Sequence, residues 1–344
     1  MIIKRLLIDE IEDLSYEDTH LQGLSSISAI LLKNSKPVAP DFFSGVDTNP
    51  WRLIDKWSLD LNVRKFLKEN PEFKYRTVVD MLFYASESQL KEYPEVLAIR
   101  KELFSIVHVM DQNFKKHINQ YLLQDLNLSE SQVKSLRDFI NLGSHKKIKI
   151  KEILIEGEIS EEQARRCYKS FQTISTLIPD KYKMNIPPIT LAIREENDKE
   201  AARVTSDSRE NPLVIVHMRD NMPLMLSEIL HEYGHLIENY NPQVMRMTSD
   251  FLRERILSEK TMTIGEFSKL QNRPVSDWNK DEVVYPSDLM DPYMGKTYGD
   301  IFKKDCSSEL LSTALQLLYV DPIKIFLRDP DCFKLVSSLL HGQI

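Results

Sequence analysis

Two histidines and a glutamate occur close together in the segment LSEILHEYGHLIENY, which covers residues 226–240. His231 and His235 are four positions apart, and residues at that spacing lie on one face of an α-helix, one turn above the other. Their imidazole nitrogens can therefore bind a single metal ion, and zinc accepts such ligands readily. Glu232 is rotated by about 100° from His231. It is placed to accept a proton from metal-bound water rather than to bind the metal.

The apolar positions of this segment predict which side of the helix is buried. They form one stripe, and the two histidines lie on the opposite side. The stripe consists of Leu226, Ile229, Leu230, Tyr233, Leu236 and Ile237. A helix of this kind packs its apolar side on the core and turns its histidines toward a cleft. The alternative is an ordinary helix with two solvent-exposed histidines, but the motif together with the strand-like segments before it favours a metal site.

A catalytic zinc site usually has three protein ligands and one open position, so a third ligand is expected. Three of the four candidates fit less well. Glu238 shares the histidine face but lies about 10 Å from His231 along the helix axis, which makes it a group around the site or on the surface. His217 ends a predicted edge strand and can instead contact substrate. Cys306 would supply a thiolate, which is unusual beside this motif.

Glu309 is the fourth candidate. It belongs to the segment DCSSELLSTALQLLYV, which has the apolar period of a helix. With Asp305 as the predicted N-cap, Glu309 falls in the first turn of that helix. A glutamate in a first turn also interacts favourably with the helix dipole, so its position has a purely structural explanation as well. Spacing alone leaves the third ligand open.

The segments before the histidine helix have the periodicity of strands. PPITLAIRE, AARVTSDS and PLVIVHM are short, rich in β-branched residues and separated by polar turns. They predict a small antiparallel or mixed sheet with PLVIVHM at its edge. An extended peptide can add to such an edge through main-chain hydrogen bonds. This favours a protein or peptide substrate that is cleaved within an unfolded segment or a loop.

The chain divides into two regions by its apolar pattern. Residues 1–145 carry helix-period apolar residues and predict a helical N-terminal region of unknown role. The turn signal NLGSHKK, at residues 141–147, marks the boundary. Residues 146–344 combine strand-like and helical segments, which predicts an α+β domain.

The composition restricts the class of protein. The 344-residue chain has a net charge of −7, which argues against a nucleic-acid binder, since these usually carry a basic stripe. Its three cysteines are widely separated and suggest neither a disulfide framework nor a thiolate zinc site. The N-terminal segment is a poor secretion signal, and no run approaches the roughly 18 apolar residues of a membrane span. We therefore expect a cytoplasmic protein with no nucleic-acid or membrane partner.

The motif HEYGH resembles the active-site motif of the zincin metallopeptidases, and a glutamate on a later helix resembles their gluzincin pattern. The segments DPYMGKTYGD and SSELLSTALQLLY are similar to those of zincin-like domains in phage-associated and toxin-like bacterial proteins. The resemblance covers roughly residues 150–344. It implies that residues 146–344 form a zincin-like metallopeptidase domain. It also implies that Glu309 joins His231 and His235 as a ligand of Zn2+.

Tyr293 and Tyr298 belong to the first of these two similar segments. A phenol near a metal can donate a hydrogen bond to a developing oxyanion, so both tyrosines are candidate catalytic residues. Gly295 and Gly299 would let the segment bend closely over the site. The alternative is a turn-rich loop whose tyrosines serve only in packing.

These residues predict a zinc-dependent metallopeptidase that hydrolyses peptide bonds through metal-activated water, with Glu232 as the general base. An endopeptidase is favoured over an exopeptidase. Two alternatives stay open: a non-peptidase metal hydrolase, and a catalytically silent zinc-binding module that serves in interactions. Glu232 argues against the silent module, because such a module would not need a general base.

Overall fold

The computed structural model describes most of the chain and shows a mixed α+β architecture. The described residues are 3–6, 50–70, 78–85, 87–120, 129, 145–157, 159–195, 202–206, 212–218, 226–271, 280–320 and 322–344. The chain divides into two compact units. Unit 1 comprises Met1–Asp13, Leu142–Arg219 and Leu224–Ile344, and unit 2 comprises Leu14–Asn141 and Asp220–Pro223.

The described residues of unit 2 fall mainly in helices. These are α1 (Pro50–Leu59), α2 (Leu61–Glu69), α3 (Val78–Tyr84), α4 (Glu87–Lys91) and α5 (Pro94–Gln120). Asp60 caps α2, because its side chain accepts hydrogen bonds from the backbone nitrogens of Asn62 and Val63. In the core of this unit, the ring of Phe66 meets that of Tyr93 edge to face, with 5.0 Å between the ring centroids.

A five-stranded mixed sheet forms the centre of unit 1. Its strands are β1 (Ile3–Leu6), β2 (Ile150–Glu156), β3 (Ile189–Glu195), β4 (Ala202–Ser206) and β5 (Pro212–Met218), in the order β1-β2-β3-β5-β4. The inner strands β2, β3 and β5 are parallel, whereas β1 and β4 pair antiparallel with β2 and β5. Residues 3–6, which the apolar pattern placed in the helical region, thus form an edge strand of this sheet.

The expected antiparallel or mixed sheet is a mixed one, and the expectation that PLVIVHM lies at its edge is wrong. A helix lies between β2 and β3 in the chain, and such a crossover returns the chain to the same end of the sheet, so the two strands run parallel. PLVIVHM is β5, which lies between β3 and β4. Val214, Ile215 and Val216 are buried in succession, as an inner strand covered on both faces requires. The edge strand on this side is β4.

The remaining elements of unit 1 are mostly helices. They are α6 (Glu161–Ser175), α7 (Asp180–Lys183), α8 (Leu226–Tyr240), α9 (Pro242–Arg255), α10 (Ile264–Leu270), α11 (Leu310–Val320), α12 (Pro322–Arg328) and α13 (Pro330–Leu340). A two-stranded ribbon pairs β6 (Met262–Thr263) with β7 (Val283–Val284), and a 3-10 helix covers Pro292–Gly295. Among the described residues, no helix is both long and apolar enough to cross a membrane.

The predicted histidine helix is confirmed as α8, and it is a central element of unit 1. The described members of its apolar stripe are buried: Ile229, Leu230, Tyr233, Leu236 and Ile237 are each at most 2% exposed. The side chain of Leu226 lies outside the described residues. Tyr233 stacks on Phe171 of α6, with 4.7 Å between the ring centroids, and its hydroxyl donates to the Phe171 carbonyl oxygen at 3.1 Å. These contacts fix the back of α8 on α6.

We predict that Phe171→Ala lowers the free energy of unfolding of unit 1 by about 3 kcal/mol or more. The substitution removes a fully buried ring and leaves a cavity beneath Tyr233. The measurement is the midpoint of urea unfolding followed by circular dichroism. Leu257→Ala is the control, because Leu257 is 64% exposed and its loss should cost less than about 0.5 kcal/mol. Equal effects of the two substitutions would show that α8 is not anchored through this contact.

Candidate metal centre

Three side chains of unit 1 converge on one point. The Nε2 atoms of His231 and His235 lie 3.1 Å and 3.3 Å from the same oxygen, Oε2 of Glu309. Among the described residues, these three form the only group of histidine, cysteine or acidic side chains with the spacing of a metal site. The histidine side chains are only 15% and 11% exposed, so the alternative of two solvent-exposed histidines is wrong.

Glu309 directly precedes α11, and its carbonyl oxygen accepts the first hydrogen bond of that helix, from the Thr313 nitrogen at 3.1 Å. The predicted helix over DCSSELLSTALQLLYV begins only at Leu310, so Glu309 precedes it and is not in its first turn. The Glu309 backbone nitrogen donates to the Lys296 carbonyl oxygen at 2.9 Å, and Thr297 forms an antiparallel bridge with Ser308. This pairing ties residues 307–309 to residues 296–298 just before α11 begins.

Asp305 is therefore not the N-cap that the sequence suggested. Its carboxylate forms ion pairs with two arginines of α9, at 2.8 Å from the Arg253 guanidinium and 3.5 Å from that of Arg246. These two ion pairs hold Asp305 on α9. Asp305 is five residues before Leu310, too far along the chain to cap α11.

The electrostatics of the three side chains are strongly coupled. Glu309 is 1% exposed. Burial acts to raise the pKa of its carboxyl, but the hydrogen bonds and charges of His231 and His235 outweigh it and hold the pKa far below its usual range. For His235, burial acts to lower the pKa, and the Glu309 carboxylate outweighs this effect and raises it. Glu309 is therefore ionised, which is the state that a metal ligand requires.

Both candidate tyrosines contact Glu309. The Tyr293 hydroxyl donates to Glu309 Oε1 at 3.1 Å, and the Tyr298 hydroxyl donates to the same oxygen. Burial, followed by the negative charge of Glu309, raises the pKa of both phenols. Oε1 thus receives the two phenols while Oε2 faces the two histidines. The proposed role of either tyrosine as an oxyanion donor stays a prediction.

One lysine side chain lies against the rings of both tyrosines. The Nζ atom of Lys296 lies 5.3 Å from the ring centroid of Tyr293 and 5.5 Å from that of Tyr298, and it forms an ion pair with Glu282 at 2.9 Å. A cation over an aromatic face is attracted by the ring quadrupole. Lys296 therefore helps to hold both rings beside Glu309.

Glu232 lies next to His231 on α8, and it is 5% exposed. Its negative charge raises the pKa of His235 and that of Tyr298, which places the carboxylate within electrostatic reach of the centre. A buried carboxylate beside the ligands, but outside the group that converges on Glu309 Oε2, has the position expected of a general base.

Of the other three candidates for the third ligand, Glu238 and Cys306 do not join this group. Glu238 is completely buried, so it is not a surface residue, and its oxygens accept hydrogen bonds from Thr248, Ser307 and Ser308. Cys306 is buried, and burial raises the pKa of its thiol. His217 belongs to β5, but its side chain lies outside the described residues.

A glycine inside the histidine motif brings the two halves of the site together. A Cβ atom at Gly234 would lie 2.7 Å from the backbone nitrogen of Ser312 and closer still to its Cα atom. The backbones of α8 and α11 are therefore in contact at this point, three residues after Glu309. Sequence analysis missed this function of Gly234, although a glycine in the middle of a helix is itself a signal of close backbone approach.

Comparison of the chain with protein-family models, with curated proteins and with solved structures finds no match. The zincin resemblance of the motif therefore stays a prediction. A proposal about function rests on the geometry of the site alone.

The residues of the centre fit a zinc ion. Zinc bonds of about 2.0–2.1 Å place neighbouring ligand atoms of a tetrahedron about 3.3–3.4 Å apart. The two nitrogen–oxygen distances of 3.1 Å and 3.3 Å are close to this value. Two neutral imidazoles and one carboxylate also leave one tetrahedral position open, as in catalytic rather than structural zinc sites.

We predict that Gly234→Ala destabilises unit 1 by up to about 2 kcal/mol and weakens the proposed zinc binding. Alanine favours the helix by about 1 kcal/mol, but overpacking against a backbone costs about 1–3 kcal/mol, and Ser312 can yield only if α11 moves. Thermal unfolding and zinc titration measure the two effects.

The matched control for this substitution is Gly265→Ala in α10, where the nearest atom, the Lys280 carbonyl oxygen, is 3.1 Å from the added Cβ. It should cost less stability and leave zinc binding unchanged. A Gly234→Ala protein that is as stable as the parent and binds zinc as tightly would show that the close contact of the helices does not position Glu309.

Proposed function

We propose that this chain is a zinc-dependent metallopeptidase, with a zincin-like catalytic domain in residues 146–344. The observation that carries the proposal is the convergence of His231 Nε2 and His235 Nε2 on Glu309 Oε2, with Glu232 buried next to His231. A structural ion pair would need neither the second histidine nor the neighbouring carboxylate. A hydrolytic zinc centre needs all four side chains.

His231, His235 and Glu309 would hold the metal, and each contributes something different. The two imidazoles come from one rigid helix, so their spacing is fixed by the helical turn. Glu309 comes from a segment that is tied to Lys296 and Tyr298 by backbone hydrogen bonds. The Tyr293 and Tyr298 hydroxyls donate to Oε1, so Oε2 is the oxygen that would hold the metal.

Zinc at this centre would lower the pKa of a water ligand toward about 7 and polarise the carbonyl group of a substrate. Glu232 would accept the proton of that water and deliver it to the leaving amine. Tyr298 is 59% exposed, although its hydroxyl reaches the buried Glu309, so it lies between the centre and the solvent.

A peptide substrate fits the edge of the sheet. β4 is the edge strand on one side of the described sheet, and α8 packs beside it. An extended peptide that pairs with β4 through main-chain hydrogen bonds would run past the histidine helix and present successive carbonyl groups to it. Such pairing requires no free chain end, which favours an endopeptidase acting on unfolded or loop segments.

We predict that the purified chain binds about one zinc ion and that alanine at His231, His235 or Glu309 reduces its zinc content to near zero. Loss of one of three protein ligands leaves too few bonds to retain the ion during purification. Atomic emission spectroscopy measures the content. His108→Ala, at an exposed position of α5, is the control and should retain zinc. A His231→Ala/His235→Ala protein with full zinc occupancy would contradict the ligand assignment.

We predict that Glu232→Gln retains zinc and lowers the rate of peptide cleavage by a factor of about 10² to 10⁴, the usual contribution of a general base. The assay is cleavage of a library of random-sequence peptides, followed by mass spectrometry, on preparations of known zinc content. Glu254→Gln, an exposed carboxylate on α9, should cleave as fast as the parent.

The other outcomes of this assay distinguish the alternatives. A parent that binds zinc but cleaves neither peptides nor small esters and amides would support a silent zinc-binding module. Hydrolysis of the small substrates alone would support a non-peptidase hydrolase. Unchanged cleavage by Glu232→Gln would remove this carboxylate from the mechanism.

A further inference from the structure

Glu238 is a completely buried carboxylate on α8, one turn beyond His235. Its Oε2 atom accepts hydrogen bonds from the Ser307 hydroxyl and the Ser308 backbone nitrogen, both at 3.0 Å. Its Oε1 atom accepts from the Thr248 hydroxyl at 2.6 Å and from the Ser308 hydroxyl at 3.4 Å. Burial of an acidic side chain is costly, so a carboxylate that is buried with this many donors has a specific structural role.

The donors belong to the residues that carry the third ligand. Ser307 and Ser308 directly precede Glu309, and they form the segment that pairs with Thr297 and Tyr298. That pairing fixes the segment on one side only. Glu238 fixes it on the other side, to the same helix that carries both histidines.

We propose that Glu238 is a positioning residue of the metal centre. Its carboxylate holds Ser307 and Ser308 against α8, and this contact determines where Glu309 Oε2 meets the two imidazoles. The inference rests on the zinc binding proposed above, but it concerns a residue that does not touch the metal. Groups that orient the ligands of a metal site contribute about 10- to 100-fold to its affinity.

The length of the side chain is what this role requires. One carboxylate has to reach the Ser308 nitrogen and the Thr248 hydroxyl at the same time. Aspartate keeps the charge but is shorter by one methylene, so it loses one of these two contacts. Glutamine keeps the length. Its carbonyl oxygen can accept from Ser307 and Ser308, and its amide can donate to Thr248, whose hydroxyl can turn to the carbonyl oxygen of Val244 or Met245, both at 3.1 Å.

The test is the zinc dissociation constant of the full-length chain, measured by competition with a chromophoric zinc chelator. Glu238→Ala should raise the constant by about 10- to 100-fold, and Glu238→Asp by about tenfold. Glu238→Gln should stay within about threefold of the parent. If the alanine variant does not fold, comparing the zinc affinities of the other two variants still tests the inference. If Glu238 acts by placing the segment, Glu238→Gln binds zinc more tightly than Glu238→Asp. If it acts only through its charge, Glu238→Asp binds zinc more tightly, and this result would overturn the inference.

Asp329→Ala is the matched control. Asp329 is also a buried carboxylate of unit 1, 3% exposed, and it accepts hydrogen bonds from the Cys332 nitrogen and from Arg255. This substitution should lower the melting temperature of the metal-free protein without changing its zinc affinity. Equal loss of zinc affinity in Asp329→Ala and Glu238→Ala would show a general effect of stability and would overturn the inference. So would a Glu238→Ala protein that binds zinc as tightly as the parent.

The parent protein separates this inference from the proposed function. A parent that binds no zinc overturns the proposed function, and the positioning role with it. A parent that binds zinc, together with a Glu238→Ala variant of unchanged affinity, overturns the positioning role alone.

Discussion

The contact between the backbones of α8 and α11 is the constraint on which the centre depends. The two histidines come from α8, whereas Glu309 directly precedes α11, far along the chain. A ligand set of this kind forms only if the two helices approach more closely than ordinary side chains allow, and Gly234 opposite Ser312 permits that approach. The stacking of Tyr233 on Phe171 then fixes the other side of α8 on α6. The residues between the two histidines, Tyr233 and Gly234, therefore fix the packing of the helix that carries the proposed metal site.

The interface that results contains two acidic side chains that are removed from solvent. Burying an unpaired carboxylate costs several kcal/mol, so each must be compensated by donors or by positive charge. Glu238 is compensated by hydroxyl and backbone donors within the interface. Glu309 has phenols on Oε1, and two imidazoles and the Ser312 hydroxyl on Oε2. This second arrangement directs the nitrogens of two histidines at one carboxylate oxygen, and the proposed divalent cation would satisfy all three atoms at once.

Local sequence patterns predicted the elements that depend on short-range spacing, and they failed where long-range pairing decides. The helical period and the placement of His231 and His235 follow from residues within one helix, so α8 was predictable. The parallel order of β2, β3 and β5 depends on how the connecting helix crosses the sheet, which strand propensity does not record. The placement of Glu309 depends on pairing with residues 296–298, and the role of Glu238 depends on donors roughly 70 residues away. Neither has a local signal.

A crystal structure of the zinc-loaded protein tests most directly whether His231, His235 and Glu309 form the proposed zinc site. Anomalous scattering at the zinc edge locates the ion without reference to any assumed ligand. We predict a single strong peak about 2.0–2.2 Å from His231 Nε2, His235 Nε2 and Glu309 Oε2, with a fourth position open to solvent. A peak elsewhere in the chain, or a Glu309 carboxylate turned away from the ion, would contradict it.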